Sequence, residues 1–358
     1  MTAEELFSGR LLMAPMTRGT DLPFRRLANE WGAEVVFGEM AFAHKIVKRD
    51  RAEMPLIRRH PSEARFGVQL AGKVADVMAE AARIAVDQGA DFIDVNLGCP
   101  IDEATRRGFG AALLQRPGRV RAIVTALKQA VEVPVTVKLR LGWSSEKPTY
   151  LKIARAAQEA GADAVILHAR SRAQRYRRPA DWTHVRTLVE ELDIPVVGNG
   201  DLFGWRDARR RVEETGCAAV MIGRWALAKP WVFREFADSR EIEMDAEGRL
   251  AVLRRFVELC FELHGDDDRG RDRVRRFLTF HQDFFARYRR GGREEHVNDD
   301  DPRNWGRAPE GDLETWLCRD DVDGVRALAD WLVDGGPAEP PPPPGPDARR
   351  ACRVAASG

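Results

Sequence analysis

One cysteine stands where its thiol could take part in a reaction. Cys99 lies between a glycine and a proline, three residues after Asn96, in a loop that follows an apolar run. A thiol with a reference pKa of about 8.5 is mostly protonated at neutral pH, so it can act as a general acid. Most free cysteines are instead small buried apolar residues. Because the loop follows the end of a predicted strand, we favour the chemical role for Cys99.

Two glycine-containing turns further along the chain are suited to an anion. The first reads Gly-Asn-Gly-Asp at 198–201, and in the second Arg224 directly follows Gly223. Glycines let backbone amides approach an anion closely, and a guanidinium pairs well with a phosphate. Either turn alone is an ordinary loop. The two together predict a phosphate site.

Three further polar side chains interrupt or end apolar runs. Lys138 lies within 135–139, where a lysine needs an anionic or polar partner or a lowered pKa. It could form an internal salt bridge, or lie near the electron-rich end of a bound flavin or nicotinamide ring. His168 is either a satisfied core histidine or a cofactor ligand. Gln69 could hydrogen-bond a ring carbonyl and amide, although glutamine is common at strand ends.

Eight apolar runs provide the elements that must position these residues. They alternate with amphipathic stretches over about 215 residues, which matches the strand count and size of a (β/α)8 TIM barrel, an α/β fold. A doubly wound open sheet would show a glycine fingerprint after its first strand, and 13–17 lacks one. A barrel would bring the polar residues at the ends of the runs to one rim. The runs are 11–16, 34–40, 65–70, 92–98, 135–141, 164–169, 196–201 and 219–224.

The pattern divides the chain into three regions. Residues 1–240 would form the barrel. Residues 241–335 would form a C-terminal helical domain, in which 246–264 and 272–290 have apolar residues at helical spacing. The last region, 336–358, is a proline-rich tail that we expect to be disordered.

Composition narrows the classes of protein that the chain can belong to. No run of 18 apolar residues exists, and the first residues lack the features of a signal peptide, so we expect a cytoplasmic protein without a membrane partner. Five scattered cysteines without a CxxC pair indicate neither a disulfide framework nor a metal site. Of 57 basic residues 49 are arginine, which suits phosphate contact or reflects genomic base composition. Oligomeric state is not readable, and a monomer is our default expectation.

A loop rich in arginine follows the sixth run. Five arginines and Tyr176 occur within 170–178. The loop would open onto the rim that carries the site, where Arg170, Arg175 and Arg178 could grip phosphates of a nucleic acid. The alternative is a solvated charged surface. The arginine clusters of the helical region leave the same choice open, since aspartate runs partly neutralise them.

Six short motifs can be compared with known families. They are Met-Ala-Pro-Met at 13–16, Pro-Phe-Arg-Arg-Leu at 23–27, Gly-Val-Gln-Leu at 67–70, Asn-Leu-Gly-Cys-Pro-Ile-Asp at 96–102, Gly-Asn-Gly-Asp at 198–201 and Lys-Pro-Trp at 229–231. Together they resemble the tRNA-dihydrouridine synthase family, over the whole barrel and more loosely to about Leu332. The stretches 171–176 and 180–182 are particularly similar to the eukaryotic branch that carries zinc fingers ahead of its barrel. No such finger segment is present in the sequence, so we expect any RNA contact made by fingers to be missing or replaced.

The resemblance implies FMN as the bound cofactor, NADPH as the reductant and tRNA as the partner. The reaction would be reduction of the C5–C6 double bond of a uridine. Cys99 would donate the proton to C5 while hydride reaches C6, and Asn96 would orient the base, which must leave its stack. The implied ring contacts are Pro15, Met16, Gln69, Lys138 and His168, and the implied phosphate contacts are Asn199, Gly200, Asp201, Gly223 and Arg224. The implied substrate contacts are Asn96, Arg140, Arg170, Arg175 and Arg178.

Some observations leave alternatives open. Leu141 and Ala169 differ from the residues that the family usually has, which puts fine contacts in doubt but not the reaction. An FMN barrel reductase of a free pyrimidine, similar to dihydroorotate dehydrogenases, would need neither the helical domain nor the arginine loop. A non-catalytic RNA-binding protein is a second rival, against which Cys99, Lys138 and His168 argue. The particular uridine is not readable, although the similar branch favours the variable loop.

Overall fold

Nine parallel β-strands form the centre of the molecule. The computed structural model describes residues 1–288, 290 and 308–335, so the proline-rich segment 336–358 lies outside the described residues. The strands are β1 Leu11–Met13, β2 Val35–Phe37, β3 Ala41–Phe42, β4 Arg65–Ala71, β5 Phe92–Leu97, β6 Val135–Arg140, β7 Ala164–His168, β8 Val196–Asn199 and β9 Ala219–Ile222.

The strands curl into a nearly closed barrel. They are hydrogen-bonded in the order β1, β9, β8, β7, β6, β5, β4, β2, and β1 lies beside β2 to complete the ring. The short β3 pairs with β4 beyond β2. The predicted (β/α)8 barrel is therefore confirmed, and its eight principal strands lie in the eight predicted runs except that β4 extends one residue further, to Ala71. β3 was not predicted because two residues are too few to show a periodic pattern.

Several strands end earlier than the apolar runs predicted. β1 stops at Met13, although the run continued to Met16. The chain turns away from the sheet there, because Pro15 has no N–H to donate and the Met16 N–H donates to Thr20 Oγ1 at 3.1 Å. The residues that follow each strand thus lie in loops at the barrel end, where they can face a ligand.

Helices surround the barrel and continue beyond it. They are α1 Ala3–Phe7, α2 Leu22–Glu30, α3 Ala43–Ile46, α4 Ala75–Asp87, α5 Asp102–Arg106, α6 Pro117–Ala130, α7 Tyr150–Glu159, α8 Thr183–Glu191, α9 Trp205–Thr215, α10 Arg224–Ala228, α11 Val232–Asp238, α12 Ala246–His264, α13 Asp268–Phe285, α14 Gly311–Leu317 and α15 Val322–Val333. Short 3-10 helices cover Met54–Ile57 and Gly110–Gln115. Among the described residues, none of the helices is both long and apolar enough to cross a bilayer.

The helix predicted at 272–290 begins and ends earlier, as α13. Asp267 caps it by accepting the Gly270 amide hydrogen at 2.7 Å, and a capping carboxylate at this position stabilises the first turn of a helix. Asp267 and Asp268, which lie before the predicted start, therefore form the beginning of the helix.

Apolar side chains close the amino-terminal end of the barrel. α1 begins with a capping box of Thr2 and Glu5 and brings Leu6 and Phe7 beneath the strands. The Phe7 ring meets the Phe92 ring edge-on, with centroids 5.4 Å apart. These residues belong to a core cluster inside the barrel, separate from the layer between strands and helices. A ligand must therefore approach from the carboxyl end of the strands.

The C-terminal helices pack against the barrel beside the loop that follows β1. α12 contacts α2, and α13 contacts α10. Phe24 of α2 lies edge-on to Phe256 of α12 and is stacked on His281 of α13, with centroids 5.9 Å and 4.7 Å apart. The helical region thereby reaches the loops at the barrel mouth. The domain boundary at 240 stays a prediction.

Candidate active site

The polar residues expected from the sequence lie at the carboxyl ends of the strands. Gln69 is on β4, Asn96 on β5, Lys138 and Arg140 on β6, His168 on β7 and Asn199 on β8, while Pro15, Met16, Cys99, Gly200, Asp201, Gly223 and Arg224 follow strand ends. Because all the strands are parallel, these residues share one end of the barrel, which is where barrel enzymes carry their reactive groups.

Asn96 holds the backbone turn that carries Cys99. Its Oδ1 accepts hydrogen bonds from the Cys99 amide at 2.9 Å and the Gly98 amide at 3.2 Å. The Cys99 carbonyl accepts the Ala111 amide hydrogen at 3.0 Å. The thiol is half-buried, and burial raises the pKa of Cys99 despite nearby cations. It therefore stays protonated at neutral pH, as a proton donor must.

A chain of buried hydrogen bonds lies behind Asn96. Asn96 Nδ2 donates to Gln69 Oε1 at 2.7 Å, and Gln69 Nε2 donates to Asp94 Oδ2 at 2.6 Å. Thr136 Oγ1 donates to the other Asp94 oxygen at 2.7 Å. Burial raises the pKa of Asp94. Our sequence reasoning missed Asp94, although strand alternation places it on the same face as Asn96, two residues later.

Lys138 points a cation into the same end of the barrel. Its Nζ donates to Asn199 Oδ1 at 3.3 Å, and Asn199 Nδ2 donates to the Met221 carbonyl at 2.7 Å. Burial, and then Arg140, lower the pKa of Lys138, while Asp94 opposes them. An ammonium has three donors, and the described residues offer Nζ this single hydrogen bond and no salt bridge. The remaining donors suit an electron-rich ligand.

His168 is buried beside several guanidinium groups. Burial, and then the Arg140 and Lys138 charges, lower the pKa of His168 well below its ordinary value. The ring is therefore neutral at physiological pH and can hydrogen-bond a ligand without adding charge. The Arg140 guanidinium joins two rim loops by donating to the carbonyls of Gly98 at 3.0 Å and Ser171 at 3.3 Å.

The turn after β8 is held in a conformation that few residues adopt. Gly200 has a φ of 128° and Asp201 a φ of 47°. A Cβ on Gly200 would lie 2.7 Å from the Ala180 Cβ, so only glycine fits there. The Asp201 carboxylate accepts two hydrogen bonds from Arg170, each of 2.5 Å, and one from the Ala180 amide at 2.7 Å. Arg170 is thus bound to this turn.

Gly198 serves a purpose that the sequence did not reveal. A Cβ there would lie 2.2 Å from the ring of Trp182, whose Nε1 donates to the Gly200 carbonyl at 3.0 Å. We had interpreted this glycine as one that lets backbone amides approach an anion. The structure shows that it makes room for a buried indole that supports the turn.

Tyr176 connects the arginine loop to the site. The Arg224 guanidinium carbon lies 3.9 Å from the centroid of the Tyr176 ring, which is 52% exposed. The same ring lies 6.1 Å from the His168 ring. Gly223 faces the loop after β1, since a Cβ on it would lie 3.8 Å from Met16 Sδ. The loops after β1, β7 and β9 therefore meet at the mouth of the barrel.

The remaining substrate candidates are on the outer surface of the arginine loop. Arg175, with a φ of 49°, and Arg178 are exposed. An open cleft of about 560 Å³ runs beside them. Its lining residues are Ser145, Ala173, Gln174, Arg177 and Arg178. The loop thus presents guanidinium groups to solvent next to the mouth of the barrel.

The fold and the site define a TIM-barrel protein with a thiol, a cation and a glycine turn at the carboxyl end of its strands. Within residues 1–288, 290 and 308–335, no three His, Cys, Asp or Glu side chains are grouped so that they could hold a metal ion. Residues 12–295 match the model of the dihydrouridine synthase family, and the chain belongs to this family. The predicted family is confirmed.

Curated relatives carry related names. The chain is 38% identical over 299 residues to a tRNA-dihydrouridine(47) synthase of Cryptococcus neoformans, covering 79% of this chain and 41% of the relative. It is 38% identical over 282 residues to a Homo sapiens protein named as tRNA-dihydrouridine(47) synthase-like, covering 78% and 43%. Both names specify NAD(P)(+). The chain spans less than half the length of these two relatives.

Solved structures with little sequence similarity share the fold. Histamine dehydrogenase from Rhizobium sp. 4-9 superposes with a TM-score of 0.53 at 17% identity, over 70% of this chain and 49% of that one. An amine oxidase from Pseudomonas geniculata N1 gives a TM-score of 0.51 at 15% identity, over 69% and 50%. At such identities the likeness supports the barrel fold alone.

Proposed function

We propose that this protein is a tRNA-dihydrouridine synthase, which reduces the C5–C6 double bond of a uridine in tRNA. The observation that carries the proposal is the position of Cys99, Lys138 and the turn at Gly200 around one mouth of the barrel. Family membership and the names of the relatives support it. Those names also make position 47 the first uridine to examine.

We propose FMN as the bound cofactor, because the donors at the barrel mouth suit its two ends. Lys138 would donate to the ring, and the neutral His168 would lie beside it. Gln69, whose amide is bound to Asp94 and Asn96, would contact the ring only through its remaining hydrogen-bonding capacity. Arg224 and the backbone of Gly200 would hold the phosphate. The other expected cofactor contacts are Pro15 and Met16 at the ring, and Asp201 and Gly223 in the turns near the phosphate. The flavin, reduced by NADPH, would supply hydride to C6 of the uracil.

Several residues expected to touch ligands directly already have protein partners, and for Asn199 and Arg170 this changes the role that we assign. The Asn199 amide group is bound to Lys138 and to the Met221 carbonyl. We infer that its side chain positions Lys138, and that only its backbone is available to a phosphate. Arg170 is paired with Asp201, so we assign it to holding the turn rather than to substrate contact.

The proton would come from Cys99. Burial keeps the thiol protonated, and a positioned acid of this kind contributes roughly 10²- to 10⁴-fold to a rate. Asn96 holds the backbone of that loop and would orient the uracil. Arg140 hydrogen-bonds both the loop that carries Cys99 and the arginine loop after β7. It therefore fixes the position of the thiol relative to the arginine loop.

Two exposed surfaces would contact the tRNA. The first is the arginine loop, with Arg175, Tyr176 and Arg178. The second we name the α13 stripe, and it consists of Arg269, Arg273, Arg276, Phe280 and Phe284. These five residues recur every three or four positions, so they share one face of the helix. The arginines are exposed, and the two phenylalanine rings contact each other with centroids 5.4 Å apart.

The α13 stripe leads towards the site. α13 packs on α10, whose first residue is Arg224, and Arg287 lies near enough to contribute to lowering the pKa of Arg224. Arginines and aromatic rings on one face suit phosphates and stacked bases. We therefore keep the helical region, 241–335, as the tRNA-binding domain of the proposal.

Purified protein would be tested with NADPH and either unmodified tRNA or free uracil and orotate. We expect nucleoside mass spectrometry to detect dihydrouridine in the tRNA. We also expect the cofactor released from the denatured protein to have the mass of FMN. Turnover of a free pyrimidine without turnover of tRNA would instead support a reductase of small pyrimidines. A colourless protein that binds tRNA without NADPH oxidation would support a non-catalytic role.

A further inference from the structure

Two side-chain amides link a carboxylate to the turn that carries Cys99. Asp94 Oδ2 accepts from Gln69 Nε2 at 2.6 Å, Gln69 Oε1 accepts from Asn96 Nδ2 at 2.7 Å, and Asn96 Oδ1 accepts from the Cys99 amide at 2.9 Å. The links cross from β5 to β4 and back to β5. Asp94, at the inner end of this hydrogen-bond chain, has no part in the function proposed above.

Each amide in the chain has a donor end and an acceptor end, so each could in principle point either way. The two ends of the chain are not ambiguous. A backbone N–H can only donate, so Asn96 must turn its oxygen to Cys99. The Asp94 oxygen that faces Gln69 accepts whether the carboxyl group is ionised or has its proton on the side of Thr136. Gln69 must therefore turn its nitrogen to Asp94, and a single arrangement satisfies every link.

The chain is shielded from water, so solvent cannot replace a lost link cheaply. Asp94 is 0% exposed, Gln69 2% and Asn96 7%. Thr136, which supports the other carboxylate oxygen, is buried as well. If the acceptor at position 94 were removed, the Gln69 nitrogen would have no partner in place, and a rotated Gln69 would present its nitrogen to the nitrogen of Asn96.

We propose that Asp94 is a positioning residue, which sets the direction of the Gln69 and Asn96 amides and thereby the backbone turn that presents the Cys99 thiol. Its importance for catalysis rests on the proposed function, in which Cys99 donates the proton. Its effect on the placement of the thiol does not, and that effect can be measured without any reaction of uridine.

Three variants separate orientation from charge and from simple loss of a buried hydrogen bond. Asp94→Leu removes the acceptor. Asp94→Asn removes the charge but keeps an oxygen for Gln69, because its nitrogen can donate to Thr136 Oγ1. Thr136→Val removes a hydrogen bond to the same carboxylate without touching the amide chain. If Asp94→Leu fails to fold, Asp94→Ser replaces it, since a serine hydroxyl is too short to reach Gln69.

The first readout is alkylation of Cys99 by iodoacetamide at fixed pH, followed by peptide mass spectrometry of the full-length chain. We expect Asp94→Leu to react at least about fivefold faster, as the loss of one buried hydrogen-bond partner would loosen the turn. Asp94→Asn and Thr136→Val should stay within about twofold of the unchanged protein, because the amide chain is intact in both. Equal rates for Asp94→Leu and Asp94→Asn in folded protein would overturn the proposal.

The second readout splits the reaction into halves by stopped-flow. Asp94→Leu should slow flavin reoxidation by tRNA on the order of tenfold more than it slows flavin reduction by NADPH, since only the reoxidation half needs the thiol. Any change in the reduction half that comes from the lost charge near Lys138 should appear equally in Asp94→Asn. A uniform loss in both halves would mean a general structural defect and would contradict a positioning role. If the unchanged protein does not react with tRNA, the proposed function has failed, and the alkylation rates still decide the role of Asp94.

Discussion

At the scale of single residues, burial sets the protonation of the groups that face the barrel mouth. It raises the pKa of Cys99 and lowers those of Lys138 and His168. The thiol and the imidazole are therefore neutral at physiological pH, while Lys138 provides positive charge. A protonated donor on one side and a cation on the other is what a combined proton and hydride transfer to a double bond requires.

Replacing Cys99 by alanine should remove the proton donor and leave the cofactor in place. We expect dihydrouridine formation to fall by about 10²- to 10⁴-fold, the usual range for loss of a general acid. The flavin absorbance and the rate of reduction by NADPH should not change. Product formed at the unchanged rate, measured by nucleoside mass spectrometry, would refute the role of the thiol.

Replacing Arg224 by alanine should weaken retention of the cofactor. A phosphate that loses a charge-assisted partner is held about 10- to 100-fold less tightly. Arg224→Lys is the matched control, since it keeps the charge. Its flavin occupancy should lie between those of the unchanged protein and the alanine variant. Flavin occupancy after dialysis is the measurement, and full occupancy in the alanine variant would argue against a phosphate site after β8 and β9.

At the scale of elements, the contact between α2 and α13 couples the barrel mouth to the helical region. His281 of α13 stacks on Phe24 and lies 4.0 Å from the Asp21 carboxylate that caps α2. Burial lowers the pKa of His281 to about 3 and raises that of Asp21 to about 7. Cys260 of α12 lies close enough to Asp21 for their charges to interact.

Acid should therefore act on this contact through two opposing titrations. The unfolded chain protonates His281 below pH 6.5 while the folded chain does not until about pH 3. Its contribution to stability thus falls as pH falls, by about 1.4 kcal/mol per pH unit. The contribution of Asp21 to stability instead rises as pH falls from about 7 to 3.8, because over this range the folded chain holds the carboxyl proton more tightly than the unfolded chain does.

Replacing His281 by phenylalanine should remove only the first titration. Relative to the unchanged protein, the variant should gain about 1 kcal/mol in free energy of unfolding between pH 6.5 and 5.5, since the unfolded histidine is half protonated at the upper limit. Asp21→Asn keeps the helix cap. Relative to the unchanged protein, it should lose free energy of unfolding over the same pH interval, because the proton that Asp21 holds in the folded state is no longer there. Urea unfolding at the two pH values would measure this, and parallel curves for all three proteins would contradict the assignment.

The elements themselves could largely be predicted from the sequence, while the links between them could not. Apolar periodicity predicted 246–264 with the bounds that the structure shows. It also predicted the polar residues that lie at or just beyond the strand ends. It could not reveal that Arg170 pairs with Asp201 or that Trp182 fills the space above Gly198, because both contacts join different strands and loops across the barrel.

At the scale of the whole molecule, the tRNA contacts that we propose are the arginine loop and the α13 stripe. We expect the triple change of Arg269, Arg273 and Arg276 to glutamine to weaken tRNA binding and to lower the salt slope by about two to three. Flavin reduction by NADPH should be unaffected. The control changes three other exposed arginines, Arg83, Arg121 and Arg155, which lie on barrel helices and are each paired with a glutamate.

Binding would be measured by fluorescence titration of labelled tRNA at several salt concentrations. We expect the α13 variant to lose more tRNA affinity and more of the salt slope than the control, although both lose three charges. If the two variants lose the same affinity and slope, the effect is one of net charge, and the stripe is not a binding surface.

The most direct measurement mixes the anaerobically reduced protein with unmodified tRNA and follows the flavin for a single turnover. We predict that the flavin becomes oxidised and that about one dihydrouridine appears per flavin, whereas free uracil leaves the flavin reduced. If the flavin stays reduced with tRNA, or is oxidised by uracil alone, the barrel mouth does not carry out the reaction that we assign to it.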